Sequence, residues 1–469
     1  MNRVVIIGGG PGGYEAAHVA AQLGADVVVV DSDGMGGSAV LTDCVPSKTL
    51  IAAAEVMSDV AHAVDLGITY HEDDEAALAH MRVDLHRINT RVKSLAAEQS
   101  ADIAASLESA GVRIVRGRGR LDGPSRVVVD LNDGGTETFE GGTILVATGA
   151  APRTLPTAQP DGERILTWEQ VYDLDEVPES LVVVGSGVTG AEFASAYLAL
   201  GIPVTLVSSR DRVLPGEDAD ASLVLEEVAK RRGMNVLSRS RMESVTRHGD
   251  RVTVTLTDGR TVEASHVILA LGSVPKTQGL GLEEAGVTLD EGGFVKVDRV
   301  SRTSARGVYA AGDCTGVLML ASVAAMQGRI AMWHSLGDAV APLNLKKVSS
   351  NVFTAPEIAT VGWSQQAVDA GEIDAEVVML PLAGNARAKM QGVQDGFVKL
   401  FCRRGTGIVI GGVVVGPKAS ELIHPLSVAV AESLTADALA QAFTVYPSMS
   451  GSVAEAARRL HKVEASRFF

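Results

Sequence analysis

A chain of 469 residues, 46% of them hydrophobic and 21% charged, carries enough apolar surface for roughly two to four cored domains, which excludes a small stapled protein and a disordered one. Its 41 basic and 57 acidic side chains leave a net charge of −16, which repels nucleic acid and anionic membranes and points to small-molecule partners. Three widely spaced cysteines, Cys44, Cys314 and Cys402, form no CxxC; they exclude a disulfide framework and a zinc site and suit a reducing, cytoplasmic setting.

The chain enters a four-residue apolar run at 4–7 that glycine ends. This is neither a signal peptide nor a membrane span, and later apolar runs such as 407–416 are also too short to cross a bilayer. Directly after the first run stands Gly8-Gly9-Gly10-Pro11-Gly12-Gly13. Gly8, Gly10 and Gly13 form a GxGxxG between a predicted strand and a predicted helix. The first glycine permits the tight turn, the second lets backbone approach a pyrophosphate, and the third permits close helix packing, while the helix N-terminus offers N–H groups. Asp31 closes the next apolar run, 27–31, eighteen positions after Gly13, where a carboxylate accepts from ribose hydroxyls. Strand, glycine turn, helix and acid together predict a dinucleotide site. Part of the surplus of glycine, 50 residues in all, is accounted for by such cradles.

Residues 82–109 place Leu85, Ile88, Val92, Leu95, Ile103 and Leu107 at near-helical spacing, which predicts a helical hairpin inserted in the first domain at about 80–110. A buried strand at 144–149 stops at Gly149, and Pro152, Pro156 and Pro160 mark passage into a second domain. There the opening pattern recurs: an apolar run at 181–184, then Gly185-Ser186-Gly187-Val188-Thr189-Gly190, an Ala-rich helix and a second run at 204–208. Runs apolar at every position suit parallel strands covered on both faces. The second run ends in Ser208, followed by Ser209, Arg210 and Arg212, where an NAD-selective site carries an acid. Without that acid a 2′-phosphate is not repelled, and an arginine can pair with one. NADPH is therefore expected to be accepted alongside NADH; the alternative is that Arg210 and Arg212 are solvated loop charges. A strand at 267–272 stops at Gly272, and a linker follows at 342–349. Strands at 397–402 and 407–415, with a helix at 420–434 interrupted near Pro425, predict a separate C-terminal α+β domain.

The expected fold is thus α/β, with two Rossmann-like dinucleotide-binding domains and a C-terminal α+β domain, divided as 1–150, 151–272, 273–345 (a return to the first domain) and 346–469. Two dinucleotide sites in one chain imply an electron relay between two different dinucleotides.

Four motifs in this order resemble those of the flavoprotein disulfide reductase family, most closely its dihydrolipoamide dehydrogenase branch. They are the first GxGxxG, the Gly36-Gly37 turn leading to Cys44-Val45-Pro46-Ser47-Lys48, the second GxGxxG, and residues 303–313 ending Ala310-Ala311-Gly312-Asp313. The resemblance implies FAD in the first site and NADPH or NADH in the second. It implies cofactor contacts from Gly12, Asp31, Gly37, Ser38, Lys48, Gly119, Thr148, Gly149 and Gly272. It also implies that Asp313 holds the ribityl chain and that a helix starting near Met319, Leu320 and Ala321 points its N-terminus at the flavin. Phe353-Thr354-Ala355-Pro356-Glu357 is similar to the start of the family's interface (dimerisation) domain, which implies a homodimer.

Two departures decide the expected function. Disulfide-reducing members carry two cysteines separated by four residues after the Gly-Gly turn, whereas this chain reads Gly36-Gly37-Ser38-Ala39-Val40-Leu41-Thr42-Asp43-Cys44. Ala39 replaces the thiol that attacks substrate, and a disulfide needs two sulfurs about 2 Å apart. The family's His-Pro and following glutamate are replaced by Tyr446-Pro447 and Gly451; tyrosine, with a reference pKa of about 10, is a poor base at neutral pH. Lys48 and Glu192 still match the family's ion pair beside the flavin and the nicotinamide. Cys44 either tunes the flavin or packs as a small apolar side chain, and Tyr446 either donates to an acceptor carbonyl or serves packing. The expected activity is an FAD-dependent NAD(P)H:quinone oxidoreductase without a thiol relay. A soluble pyridine nucleotide transhydrogenase uses the same residues. The non-enzymatic alternative, a flavoprotein binding subunit or redox sensor, has no need of Lys48 and Glu192.

Overall fold

The apolar runs become the centres of two sheets in the computed structural model, which describes residues 3–68 and 81–461. The outermost positions of the expected domains, and residue 80 at the start of the predicted insertion, lie outside the described residues. In the first sheet, Arg3–Ile7 lies between Asp26–Asp31 and Thr143–Val146, all parallel, with Val308–Ala310 and Arg113–Leu121 extending the parallel set. Arg126–Leu131 and Thr136–Glu140 complete the seven strands as an antiparallel edge. Val4, Val5 and Ile6 have no exposed surface, as strands covered on both faces require.

The second sheet repeats the plan. Leu181–Val184 lies between Val204–Val207 and His266–Leu269, flanked by Asn235–Leu237 and Ile165–Thr167, all five parallel. An antiparallel meander, Met242–His248, Arg251–Leu256 and Thr261–Ala264, covers it. Between the two sheets the chain passes out through Ala150–Pro152 and back through Ser273–Pro275, and these two segments pair antiparallel. The return brings the helix Ala321–Leu336 against Pro11–Gln22, so closely that a Cβ on Gly328 would stand 2.1 Å from the Gly12 carbonyl oxygen.

The C-terminal region is a five-stranded antiparallel sheet ordered Ser349–Val352, Glu357–Gly362, Val409–Gly416, Phe397–Arg403 and Ala375–Pro381. The helix expected at 420–434 is two helices, Ala419–Leu422 and His424–Ala431, with Pro425 in the first turn of the second; a proline there lacks only an N–H that has no helical partner anyway.

One expectation needs correction. Residues 82–109 do not fold back on themselves as a hairpin: Leu85–Ser109 is one continuous helix, begun by the Asp84 carboxylate accepting from the Arg87 N–H at 3.0 Å. It packs against Cys44–Ala63, the helix that carries Lys48. Periodicity reports which face is apolar, and it contains no turn signal between 85 and 109 because none is there.

Among the described residues no helix is long and apolar enough to cross a membrane.

Candidate active site: the cleft at the Lys48–Glu192 pair

The two glycine motifs adopt the same backbone geometry. Gly8 and Gly185 both sit at φ 111°, and a Cβ added to either would lie 2.2 or 2.1 Å from a carbonyl oxygen, that of Ala147 or Ala270. Gly13 and Gly190 each lie so close to the first glycine of their own motif that a Cβ would stand 1.9 Å from its carbonyl oxygen. By contrast Gly187 has nothing within 4 Å of a Cβ position, and Gly10 only the Cα of Gly37 at 4.0 Å. The outer glycines are demanded by packing, whereas the middle one of each motif faces open space at a helix N-terminus, a cradle for a diphosphate.

The first cradle opens into a cleft of ≈1310 Å³, larger than the roughly 300–1,000 Å³ of pockets for drug-sized ligands and ample for a dinucleotide. Gly8, Gly10, Gly12, Asp31, Gly37, Ser38, Cys44, Gly119, Thr148, Gly149, Asp313, Met319 and Ala321 all line it. Gly13, Leu320 and Lys48 do not; Gly13 packs beneath the turn, Leu320 precedes the Ala321–Leu336 helix and the Lys48 ammonium is held on Glu192. The Asp31 carboxylate is held by backbone, with Oδ2 accepting from Gly9 N–H at 2.6 Å and Oδ1 from Asp33 and Gly34 N–H at 2.8 and 2.7 Å. A carboxylate accepts about four hydrogen bonds, so capacity for ribose hydroxyls is left. Asp313 lines the same cleft, and burial raises its pKa. These residues fit FAD: a long cleft, a glycine cradle at one end and half-buried carboxylates along it.

Lys48 lies on Cys44–Ala63 and Glu192 on Val188–Ala199, the helix that follows the second motif. Lys48 Nζ donates to Glu192 Oε2 at 2.8 Å, and Glu192 Oε1 accepts from the Phe353 N–H at 2.9 Å. The Glu192 side chain is 5% exposed and that of Lys48 30%. The Lys48 ammonium also stands 4.9 Å from the centre of the Phe353 ring, within cation–π range. Burial pulls the Lys48 pKa down, but the Glu192 carboxylate outweighs it and leaves it above the ordinary value. Lys48 therefore stays charged.

Cys44 is a free thiol, as are Cys314 and Cys402. Burial, reinforced by the neighbouring Asp43, pushes the Cys44 thiol up to about 12, so at neutral pH it is neither nucleophile nor ligand.

At the second motif, Ser208 has no exposed surface. Its hydroxyl lies 2.6 Å from that of Ser186 and accepts from the Arg210 N–H at 3.1 Å. Ser208 thus shapes the end of the strand from behind. Ser209 and Arg210 are exposed, whereas the Arg212 guanidinium donates to the carbonyls of Pro215 and Glu217 and is spent on its own loop. Gly272 follows the strand His266–Leu269 at φ 85°. Tyr446 lies in the C-terminal region, 85% exposed and not among the residues lining the cleft of its own chain.

Sequence reasoning missed three participants. Asp43 lines the cleft beside Cys44, residues 274–284 form a further wall, and the Phe353 N–H holds Glu192. Only Asp43 left a sequence signal, an acid immediately before the Cys44–Ala63 helix.

A fold with two nucleotide cradles, a cleft at the first and a charged lysine tied to the helix of the second defines a two-dinucleotide oxidoreductase. The chain belongs to the pyridine nucleotide-disulphide oxidoreductase family: that family's model matches residues 2–328 and the model of its dimerisation domain residues 348–457. The chain is 57% identical to an NAD(P)H dehydrogenase (quinone) of Mycobacterium tuberculosis over 98% of this chain and 94% of that protein. It is 32% identical to a dihydrolipoyl dehydrogenase of Zymomonas mobilis, over 96% of each. Among solved structures it resembles LpdA from Mycobacterium tuberculosis, with a TM-score of 0.93 at 56% identity over 98% of this chain and 100% of that one.

Proposed function

We propose that the chain is an FAD-dependent NAD(P)H:quinone oxidoreductase acting as a cytoplasmic homodimer. FAD occupies the cleft at the first motif and NADPH or NADH the second motif. The observation that carries the reading is the Lys48–Glu192 pair, intact at 2.8 Å, beside a cleft that is lined by Ala39 and by a single cysteine, the protonated Cys44 thiol. The hydride pathway is kept and the disulfide pathway is absent. The name of the Mycobacterium tuberculosis relatives, at 57% identity, supports the same reading. The dimerisation-domain match supports the homodimer, and the domain division is supported by the paired crossings at Ala150–Pro152 and Ser273–Pro275.

Bound flavin supplies a site that takes hydride from a nicotinamide and passes two electrons on. The chain's own residues do the rest. Gly10 and Gly187 would leave room for the two diphosphates, Asp31 would orient a ribose, and Asp313 would hold the ribityl hydroxyls. Lys48 would supply a positive charge to stabilise negative charge developing on a bound flavin, and Glu192 keeps that ammonium in place. Cys44 stays protonated and contributes apolar volume. Arg210, exposed just beyond the strand that ends near Ser208, would pair with a 2′-phosphate, which favours NADPH.

The test is anaerobic: purified yellow protein is mixed with NADPH or NADH, bleaching is followed, and menadione, lipoamide or an oxidised nicotinamide is then added separately. Bleaching by a nicotinamide and rapid re-oxidation by menadione are expected. Rapid re-oxidation by lipoamide overturns the reading; re-oxidation by nicotinamide alone establishes a transhydrogenase. Failure to bleach with either nicotinamide points to a binding subunit.

A further inference from the structure

We propose that Asp43 is the proton donor to the reduced acceptor, an assignment that rests on the quinone reading above. Reducing a quinone to a hydroquinone takes two electrons and two protons. Hydride supplied through the flavin brings both electrons and one proton, and the acceptor is left with a negative oxygen that needs the second proton. Lys48 is held to Glu192, and Cys44 is too weak an acid, with its thiol near 12. Asp43 lines the same cleft, next to Cys44 and within the Ala39–Cys44 wall that carries no second sulfur.

The placement of Asp43 is unusual for its position. It precedes the 20-residue helix Cys44–Ala63, where an aspartate ordinarily accepts from the N–H groups of the first turn, yet its side chain makes no capping hydrogen bond. Its backbone is fixed at both ends, with its N–H donating to Ser38 at 2.7 Å and its carbonyl accepting from Ser47 N–H at 2.7 Å. The carboxyl is thus left to the cleft on a rigid support. Burial raises its pKa to about 6, against the lowering effect of Lys48; Glu192, Asp313 and Glu169 push it further up, and the Cys44 thiol and Tyr172 hydroxyl face it without charge at neutral pH. A donor poised there is protonated often enough to serve near neutrality.

In the step, the Asp43 O–H bond breaks and a phenol O–H forms on the acceptor. The products are neutral hydroquinone, oxidised flavin and the Asp43 carboxylate, which then takes a proton from water at the open mouth of the cleft. Hydride exchange between two nicotinamides needs no such proton, so a transhydrogenase has no use for the group.

The experiment uses the flavin-loaded enzyme, bleached anaerobically with NADPH and then mixed with menadione or with ferricyanide, which takes electrons without protons. For the wild type, menadione should re-oxidise the enzyme fastest below about pH 6 and roughly tenfold more slowly for each unit above it, while the ferricyanide rate stays flat. Asp43→Asn should slow menadione at least about tenfold, abolish that pH dependence and spare ferricyanide. Infrared titration of the wild type should show a carboxylic C=O band that disappears as pH rises through about 6 and is missing from Asp43→Asn. Equal menadione rates in the two proteins at every pH, or a wild type without the titrating band, overturns the assignment. If Asp43→Asn does not take up flavin, the wild-type rate comparison and infrared titration decide alone. A wild type that reduces ferricyanide but not menadione removes the quinone reading and this assignment together, whereas normal menadione reduction by Asp43→Asn removes the assignment only.

Discussion

Lys48 Nζ and Glu192 Oε2 meet at 2.8 Å although they lie 144 positions apart, and the other Glu192 oxygen is taken by the Phe353 N–H of the C-terminal region. One carboxylate thus joins the helix of the first nucleotide domain, the helix of the second and the strand edge of the third. Removing Glu192 leaves burial as the dominant influence on Lys48, which lowers its pKa. Glu192→Gln is therefore expected to make flavin bleaching by NADPH fall off at a lower alkaline pH than in the wild type. Lys48→Ala is expected to slow bleaching roughly 10²-fold or more, the usual cost of deleting one preorganised charge-stabilising group. Stopped-flow absorbance across pH measures both.

Cys44→Ser is expected to leave menadione reduction intact, because the thiol stays protonated throughout turnover. With the thiol near 12 against an ordinary value of 9.0, alkylation by iodoacetamide at neutral pH should be roughly 10³-fold slower than for a free thiol. Mass spectrometry of the folded protein over a time course checks this.

The two kinds of glycine separate folding from binding. Gly190→Ala places a Cβ 1.9 Å from the Gly185 carbonyl oxygen and should cost about 1–3 kcal/mol or more of stability. Gly187→Ala meets nothing in the chain itself, so its melting temperature should match the wild type while KM for NADPH rises. Arg210→Ala should weaken NADPH about 10-fold or more, as loss of a hydrogen bond to a charged group does, and leave NADH unchanged.

Lys399 and Asp218 tie the C-terminal sheet to the second nucleotide domain, with Nζ 2.8 Å from the carboxylate and both side chains at most 3% exposed. Lys399→Ala strands a buried carboxylate and should cost about 3–5 kcal/mol. Thermal unfolding with Lys399→Ala and Lys399→Ala/Asp218→Asn, the second expected to recover part of the loss, tests the pairing.

Asp43 also makes stability depend on pH. Its folded pKa, about 6, lies above the ordinary 3.8, so between these values the folded chain keeps a proton that the unfolded chain has lost, and stability falls as pH rises through that window. Asp43→Asn should melt higher than the wild type at about pH 8 and at the same temperature near pH 3. Calorimetry at the two pH values decides it.

What sequence could reveal follows from how local each constraint is. The glycine turns were legible because their sterics act within a few residues: Gly8 with Ala147 and Gly185 with Ala270 are repeats of one backbone solution. Lys48 and Glu192 were paired only through resemblance to a family, since no local pattern joins positions 144 apart. The Phe353 N–H could not be foreseen, because a backbone donor has no residue type to betray it. Ser208 stands where an NAD-selective site carries an acid, and that much is legible in the sequence; its hydroxyl contact with Ser186 is not, since strand alternation says which residues point inward but not what awaits them there. Leu85–Ser109 is one helix and not a hairpin, and apolar spacing cannot tell whether the partner of such a stripe lies within the segment or, as here, in the distant helix Cys44–Ala63.

A lone, half-buried, protonated Cys44 has a bearing on where such a chain can work. Sulfenic acid forms on thiolates, and a sulfur held neutral near pH 7 is a poor target for peroxide. An oxidoreductase that shuttles electrons through paired thiols stalls when those thiols are over-oxidised; this one has no sulfur in its electron path to lose. Its turnover should persist in cells under oxidative assault, when thiol-dependent relatives fall silent.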